Sequence, residues 1–160
     1  MRSLLCAMAL SVGILCAQEA IPAIEGESLS GRAVSLPAAA AGRSAILIIG
    51  FTHASQKQVK EWTARMHDGV PAWSIAVLED APRLMRGVIT HSIKGSIPQN
   101  QHDRFLLVYH GEKALKQAAG FEQPDDAYVL VIDGAGKIRW RFHGAVTDAA
   151  IDQARSHLAG

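Results

Sequence analysis

Reactive chemistry in this chain has to come from few side chains. Of its 160 residues only Cys6 and Cys16 carry thiols, and both lie near the N-terminus. The densest group of other reactive types is Thr52-His53-Ala54-Ser55-Gln56-Lys57, which sets hydroxyls, an imidazole and an ammonium side by side. A serine becomes a nucleophile when a base lies within hydrogen-bond reach and amide donors hold the oxyanion. His53 stands two residues from Ser55, and the N-terminal amides of a following helix would attract an anion. The G-x-S-x-G elbow is absent, however, and a serine just ahead of a helix ordinarily caps it. Ser55 is therefore read as a cap, with a nucleophilic or anion-binding role as the alternative, and His53 as a polar loop residue.

The seven histidines, at 53, 67, 91, 102, 110, 143 and 157, are scattered. No H-x-x-x-H or H-E-x-x-H pair sets two imidazoles on one helix face, so neither a metal nor another cofactor is expected. Formal charge is +1, with no basic stripe for nucleic acid and no acidic tail.

Residues 1–17 read as a signal peptide. Arg2 supplies the positive start, Leu4 to Leu15 the apolar stretch, and Ala17 a small residue before Gln18. A membrane span needs about 20 apolar residues, which is longer than this. Lipidation at Cys16 is the minor alternative, since Leu15 stands where a small residue is wanted. Cleavage after Ala17 removes both cysteines and Arg2, leaving a formally neutral, cysteine-free chain that is periplasmic or secreted. Contact with a membrane is then expected only through the leader, if it stays uncleaved or is lipidated.

Residues 18–28 are expected to be an N-terminal leader and 29–160 one domain. Leu29 to Leu36 suggests a short hairpin around Ser30-Gly31, and Ala38 to Ala41 a helical turn ended by Gly42. Ala45 to Phe51 is a continuous β-branched apolar run, the mark of a strand covered on both faces. Val59, Trp62 and Met66 then recur at helical spacing over Gln56 to His67. Strands at Trp73–Leu78 and Phe105–Tyr109 alternate with helices after Pro82 and over Lys113–Ala119, which predicts a parallel sheet with helices packed on it. Tyr128–Ile132 and Lys137–His143, joined by Asp133-Gly134-Ala135-Gly136, form a hairpin. Its second strand sets Ile138, Trp140 and Phe142 on one face and Arg139 and Arg141 on the solvated one. Thr147 caps a last helix whose buried stripe is Ile151, Ala154 and Leu158. Trp62 and Trp73 are expected in the core.

Two of these segments carry a family resemblance. Ser30-Gly31-Arg32-Ala33-Val34-Ser35-Leu36 is similar to a "D-G-K-x-V-x-L" opening hairpin, and Val131-Ile132-Asp133-Gly134-Ala135-Gly136-Lys137-Ile138 to a "V-I-D-x-x-G-K-I" hairpin. In that order and separation they resemble the thioredoxin-like superfamily and its redoxin or peroxiredoxin-like branch. Tyr128 through Ala145 also resembles the mitochondrial ATPase-complex assembly proteins of that superfamily. The resemblance implies an α/β, thioredoxin-like fold with a central mixed β-sheet flanked by helices.

It also implies a site. In redoxins the strand before the first long helix ends in Phe-Thr-x-x-Cys or Trp-Cys-x-x-Cys, where the helix N-terminus stabilises a thiolate. Phe51 and Thr52 match, but Ser55 takes the peroxidatic cysteine's place and Gln58 that of a second cysteine. Ile48 replaces the proline of "P-x-x-x-T-x-x-C", and Ala127 takes the place of the cis-proline or arginine before Tyr128. A hydroxyl cannot cycle through sulfenic acid or disulfide, so redox catalysis is excluded on chemical grounds. Thr52, His53, Ser55, Gln56, Gln58 and Ala127 thus mark a vestigial active-site loop. The expected function is a non-catalytic module for an envelope protein or peptide, and the alternative a non-thiol enzymatic or anion site at Ser55.

Overall fold

A computed structural model describes residues 19–66 and 69–159; the signal-peptide reading of 1–17, and His67 at the end of the first long helix, lie outside them. Seven strands form one mixed sheet: β1 (Ile24–Ser28), β2 (Ala33–Leu36), β3 (Ala45–Gly50), β4 (Ala72–Val77), β5 (Phe105–Val108), β6 (Tyr128–Ile132) and β7 (Ile138–His143). Four α-helices accompany them: α1 (Gln56–Met66), α2 (Arg83–Ser96), α3 (Glu112–Ala119) and α4 (Asp148–Leu158). Across the sheet the order is β2-β1-β5-β4-β3-β6-β7. β3, β4 and β5 run parallel, β6 returns antiparallel beside β3 with Ile49 pairing with Tyr128, and β7 pairs antiparallel with β6 at the edge.

The run at Ala45–Gly50 is apolar throughout because β3 is central and every one of its residues is buried. Ile46 and Ile48 face one layer with Val59, Trp62 and Met66 of α1 and Ala150, Ile151 and Ala154 of α4. Ala45, Leu47 and Ile49 face the other, with Leu115, Ala118 and Ala119 of α3. Thr147 caps α4 as its sequence predicts, its side chain accepting from the Ala150 amide.

The chain departs from its sequence reading in four places. Part of the expected leader, 18–28, is strand: Ile24–Ser28 pairs with both β2 and β5, so the first hairpin runs from Ile24 to Leu36. Ahead of it Ala20 bridges Lys137, and the Glu19 carbonyl accepts from the Ile138 amide, so this stretch is tied to the sheet from Glu19 onward. Second, the turn after Ala40 is closed by Ala41 at φ 53, ahead of Gly42. Third, a bulge between Val131 and Ile132 opposes Trp140 to Val131 but Ile138 to Ile132. The extra residue is Arg139, held by Asp133; it turns Ile138 into the α3-side core while Trp140 and Phe142 pack on the α4 side. Arg139 and Arg141 are thus anchors more than a solvated edge: Arg141 pairs with Glu19 and donates to the Ala118 carbonyl at the end of α3. Fourth, Trp62 is fully buried, but Trp73 only partly.

The second expected helix forms but does not pack as the others do. None of the 14 residues of α2 is buried.

Candidate functional site

β3 ends at Gly50 in the middle of the sheet, and Phe51–Ser55 turns from there into α1. Gly50 has to be small. A Cβ there would lie 2.9 Å from Gln56 Nε2, Ser55 Oγ and Val59 Cγ2. The turn closes on itself, since Thr52 Oγ1 accepts from the Ser55 amide at 3.2 Å and donates to the Pro124 carbonyl at 2.6 Å.

Ser55 occupies the cap position, its carbonyl accepting the Val59 amide. Its side chain does not cap. The hydroxyl turns back to donate to the Thr52 carbonyl at 2.9 Å and accepts weakly from the Thr52 amide at 3.4 Å. Ser55 is fully buried. His53 is exposed, and among the described residues no hydrogen bond joins it to Ser55. A nucleophile needs access and a base, and this hydroxyl has neither.

Gln58, in the second cysteine's place, does structural work. Its Oε1 accepts from the Ala127 amide at 2.9 Å and its Nε2 donates to Asp126 Oδ1 at 3.3 Å. Ala127 is itself fully buried. Asp126 Oδ2 meets His143 Nδ1 at 2.8 Å, and the His143 ring stacks on Tyr128. Tyr128 OH accepts from the amides of Glu122 and Gln123 and donates to the Gln123 carbonyl. Thr52 and Gln58 thereby lash the 121–127 loop to the start of α1, and Tyr128 ties it to β6. Phe51 packs edge-on against Phe121 and Tyr128, and the Lys116 ammonium sits 4.5 Å above the Phe121 ring.

The fold sets Thr52 and Ser55 in one hydrogen-bonded turn and joins Gln58 to Ala127. Thr52, His53 and Gln56 also line an open groove of about 540 Å³ between α1 and α2. Its lining is mostly apolar, with Phe51, Val77 and Leu78 from the sheet side and Val88, Ile89 and Ile93 from α2. Lys60, Asp80 and Glu112 stand among its polar groups. Gln56 Oε1 has no hydrogen-bond partner here although the atom is buried. Glu112 is held by Lys116, and its amide donates to Glu79 at 2.7 Å. The groove, Pro124, Asp126 and His143 were beyond sequence reasoning. Only the apolar spacing of α2 hinted at them. Among the described residues no cluster of three His, Cys, Asp or Glu side chains could hold a metal ion.

A central strand leading into a helix N-terminus, with an antiparallel hairpin strand beside it, defines a thioredoxin-fold protein. Solved structures agree on the fold alone. The exposed lipoprotein thioredoxin Etrx1 of Streptococcus pneumoniae is 14% identical, with 84% of this chain and 99% of that one covered, at a TM-score of 0.58. Copper-bound ScoI of Arabidopsis thaliana is 12% identical over 88% and 99% of the two chains, at 0.57. The peroxiredoxin-like protein of Aquifex aeolicus is 10% identical over 88% and 86%, at 0.55. No curated protein matches the chain. The family model described as ATP10 protein matches residues 18–157, and the chain belongs to that family.

Proposed function

We propose that this protein is an exported, non-catalytic thioredoxin-fold module that holds a protein or peptide segment in the groove beside Thr52–Gln56. The contrast at the helix start carries the reading. The Ser55 hydroxyl is buried and committed to its own turn, while an apolar groove stands open beside it. Concave, mostly apolar sites with a few polar groups are how folds hold ligands. The resemblance to ATPase-complex assembly proteins, together with the family match, suggests that the occupant is a subunit awaiting assembly. The enzymatic or anion-binding alternative finds no support in the inward-turned hydroxyl.

The test is photocrosslinking in the envelope fraction from Thr52 and Ser92 in the groove, and from Arg155 on α4 as control. One protein captured from both groove positions and not from position 155 supports the proposal. The same set of proteins from all three positions, or none from the groove, overturns it.

A further inference from the structure

We propose that the outer face of α2 docks this protein on an anionic lipid surface. This goes beyond groove binding and does not depend on it. α2 carries Arg83, Arg86, His91 and Lys94 and no acidic residue. Leu84 is 95% exposed, Val88 63% and Met85 48%. With about 3.6 residues per turn, Leu84, Met85 and Val88 share one side of the helix; His91 lies beside Leu84, and Arg83 and Lys94 lie together further round on that edge, about 80–100° from Leu84.

The basic residues have separate tasks. Arg86 is committed inward, donating to the carbonyls of Glu79 and Ala81 and lying 4.7 Å over the Tyr109 ring. It clamps the helix to the body. Arg83 and Lys94 remain exposed at its two ends.

Shape and charge together select the occupant. Leu84 and Met85 lie outside the groove lining, and an outward-pointing apolar tip would need a matching pocket in a protein partner. A fluid interface closes around such side chains without one. Lipid phosphates complement a helix whose own charges are all positive. A helix with this pattern lies in the interface plane, apolar side chains in the headgroup boundary and basic ones at the phosphates.

The experiment is hydrogen exchange on the full chain, with phosphatidylglycerol/phosphatidylcholine vesicles against pure phosphatidylcholine at low salt. The expected result is slowed exchange in 83–96 with the anionic vesicles. Arg83→Gln and Lys94→Gln should each weaken partitioning about fivefold, and Leu84→Ser about tenfold. These side chains are exposed and outside the groove, so unchanged urea midpoints will show that the variants fold. Binding through residues 1–17 alone leaves exchange in 83–96 unchanged, which overturns the proposal. Equal protection by neutral vesicles also overturns it. So does lipid-independent protection that grows with protein concentration, which would assign the face to a second copy. Groove crosslinking is read at other residues, so either idea can fail without the other.

Discussion

Replacing Gln58 by alanine tests whether this side chain serves as a structural clasp between α1 and the entry to β6. In the native chain Gln58 Oε1 is the acceptor for the Ala127 amide, at 2.9 Å. Ala127 is fully buried at the entry to β6, and its carbonyl is already engaged by the Gly144 amide. Truncation leaves a buried N–H without an acceptor, which costs about 1–3 kcal/mol. The long bond to Asp126 adds little, because at 3.3 Å it is weak and its carboxylate keeps His143. The expected destabilisation is about 2 kcal/mol, read as a lower urea midpoint at unchanged slope. For a chain of this size that corresponds to a fall in Tm of about 4–8 °C. Gln58→Glu offers a second reading. It keeps an acceptor for Ala127 but sets a carboxylate against Asp126, and should recover part of the loss at pH values low enough to protonate one of them. A midpoint for Gln58→Ala within about 0.5 kcal/mol of the native value, as for ordinary surface changes, would refute the clasp.

Gly50→Ala should cost about 1–3 kcal/mol in the same assay, because its Cβ would meet Ser55 and Val59, both fully buried. A neutral result would mean that the turn yields easily. Ser55→Cys, made with Cys6 and Cys16 changed to serine, should give a thiol that reacts slowly with a disulfide reagent and does not turn over peroxide, since burial disfavours the thiolate. Rapid labelling of the folded protein would contradict the inward geometry. Burial by itself raises the Asp133 carboxyl, but the amides of Lys137 and Ala135 and the Arg139 guanidinium outweigh it and hold the group below its usual value. A carboxyl depressed in the folded state stabilises above its unfolded pKa of about 3.9, and that contribution fades as pH falls through the lower folded value. Asp133→Asn should therefore flatten the acid limb of stability against pH below about pH 4, and an unchanged limb would show that the bulge does not depend on this charge.

Most of the architecture was legible in the residues. The unbroken apolar run at Ala45–Gly50 could only be a strand covered on both faces, and Val59, Trp62 and Met66 could only be one face of a helix. Thr147 announced the last helix. The missing thiol was equally plain: with Ser55 and Gln58 at the two cysteine positions, no arrangement of this chain beyond residue 17 supplies a disulfide cycle. These are local facts, because periodicity reports which side of an element is buried and residue type fixes what a side chain can react with.

Tertiary structure decided what depends on closing long loops. Ser55 turns inward rather than capping because Gly50 leaves room for it and the Thr52 carbonyl accepts its hydrogen bond. Gln58 finds the Ala127 amide 69 positions away, a pairing that no spacing rule encodes. Arg139 is extruded as a bulge, which sends Ile138 to the face opposite Trp140 and breaks an alternation that looked uninterrupted. The apolar spacing of α2 predicted a helix correctly but not its placement: Ile89 and Ile93 turn toward the groove and core while Leu84, Met85 and Val88 stay exposed, so the helix buries none of its residues. Pattern told which residues prefer burial, and only the assembled sheet determined which of them obtained it.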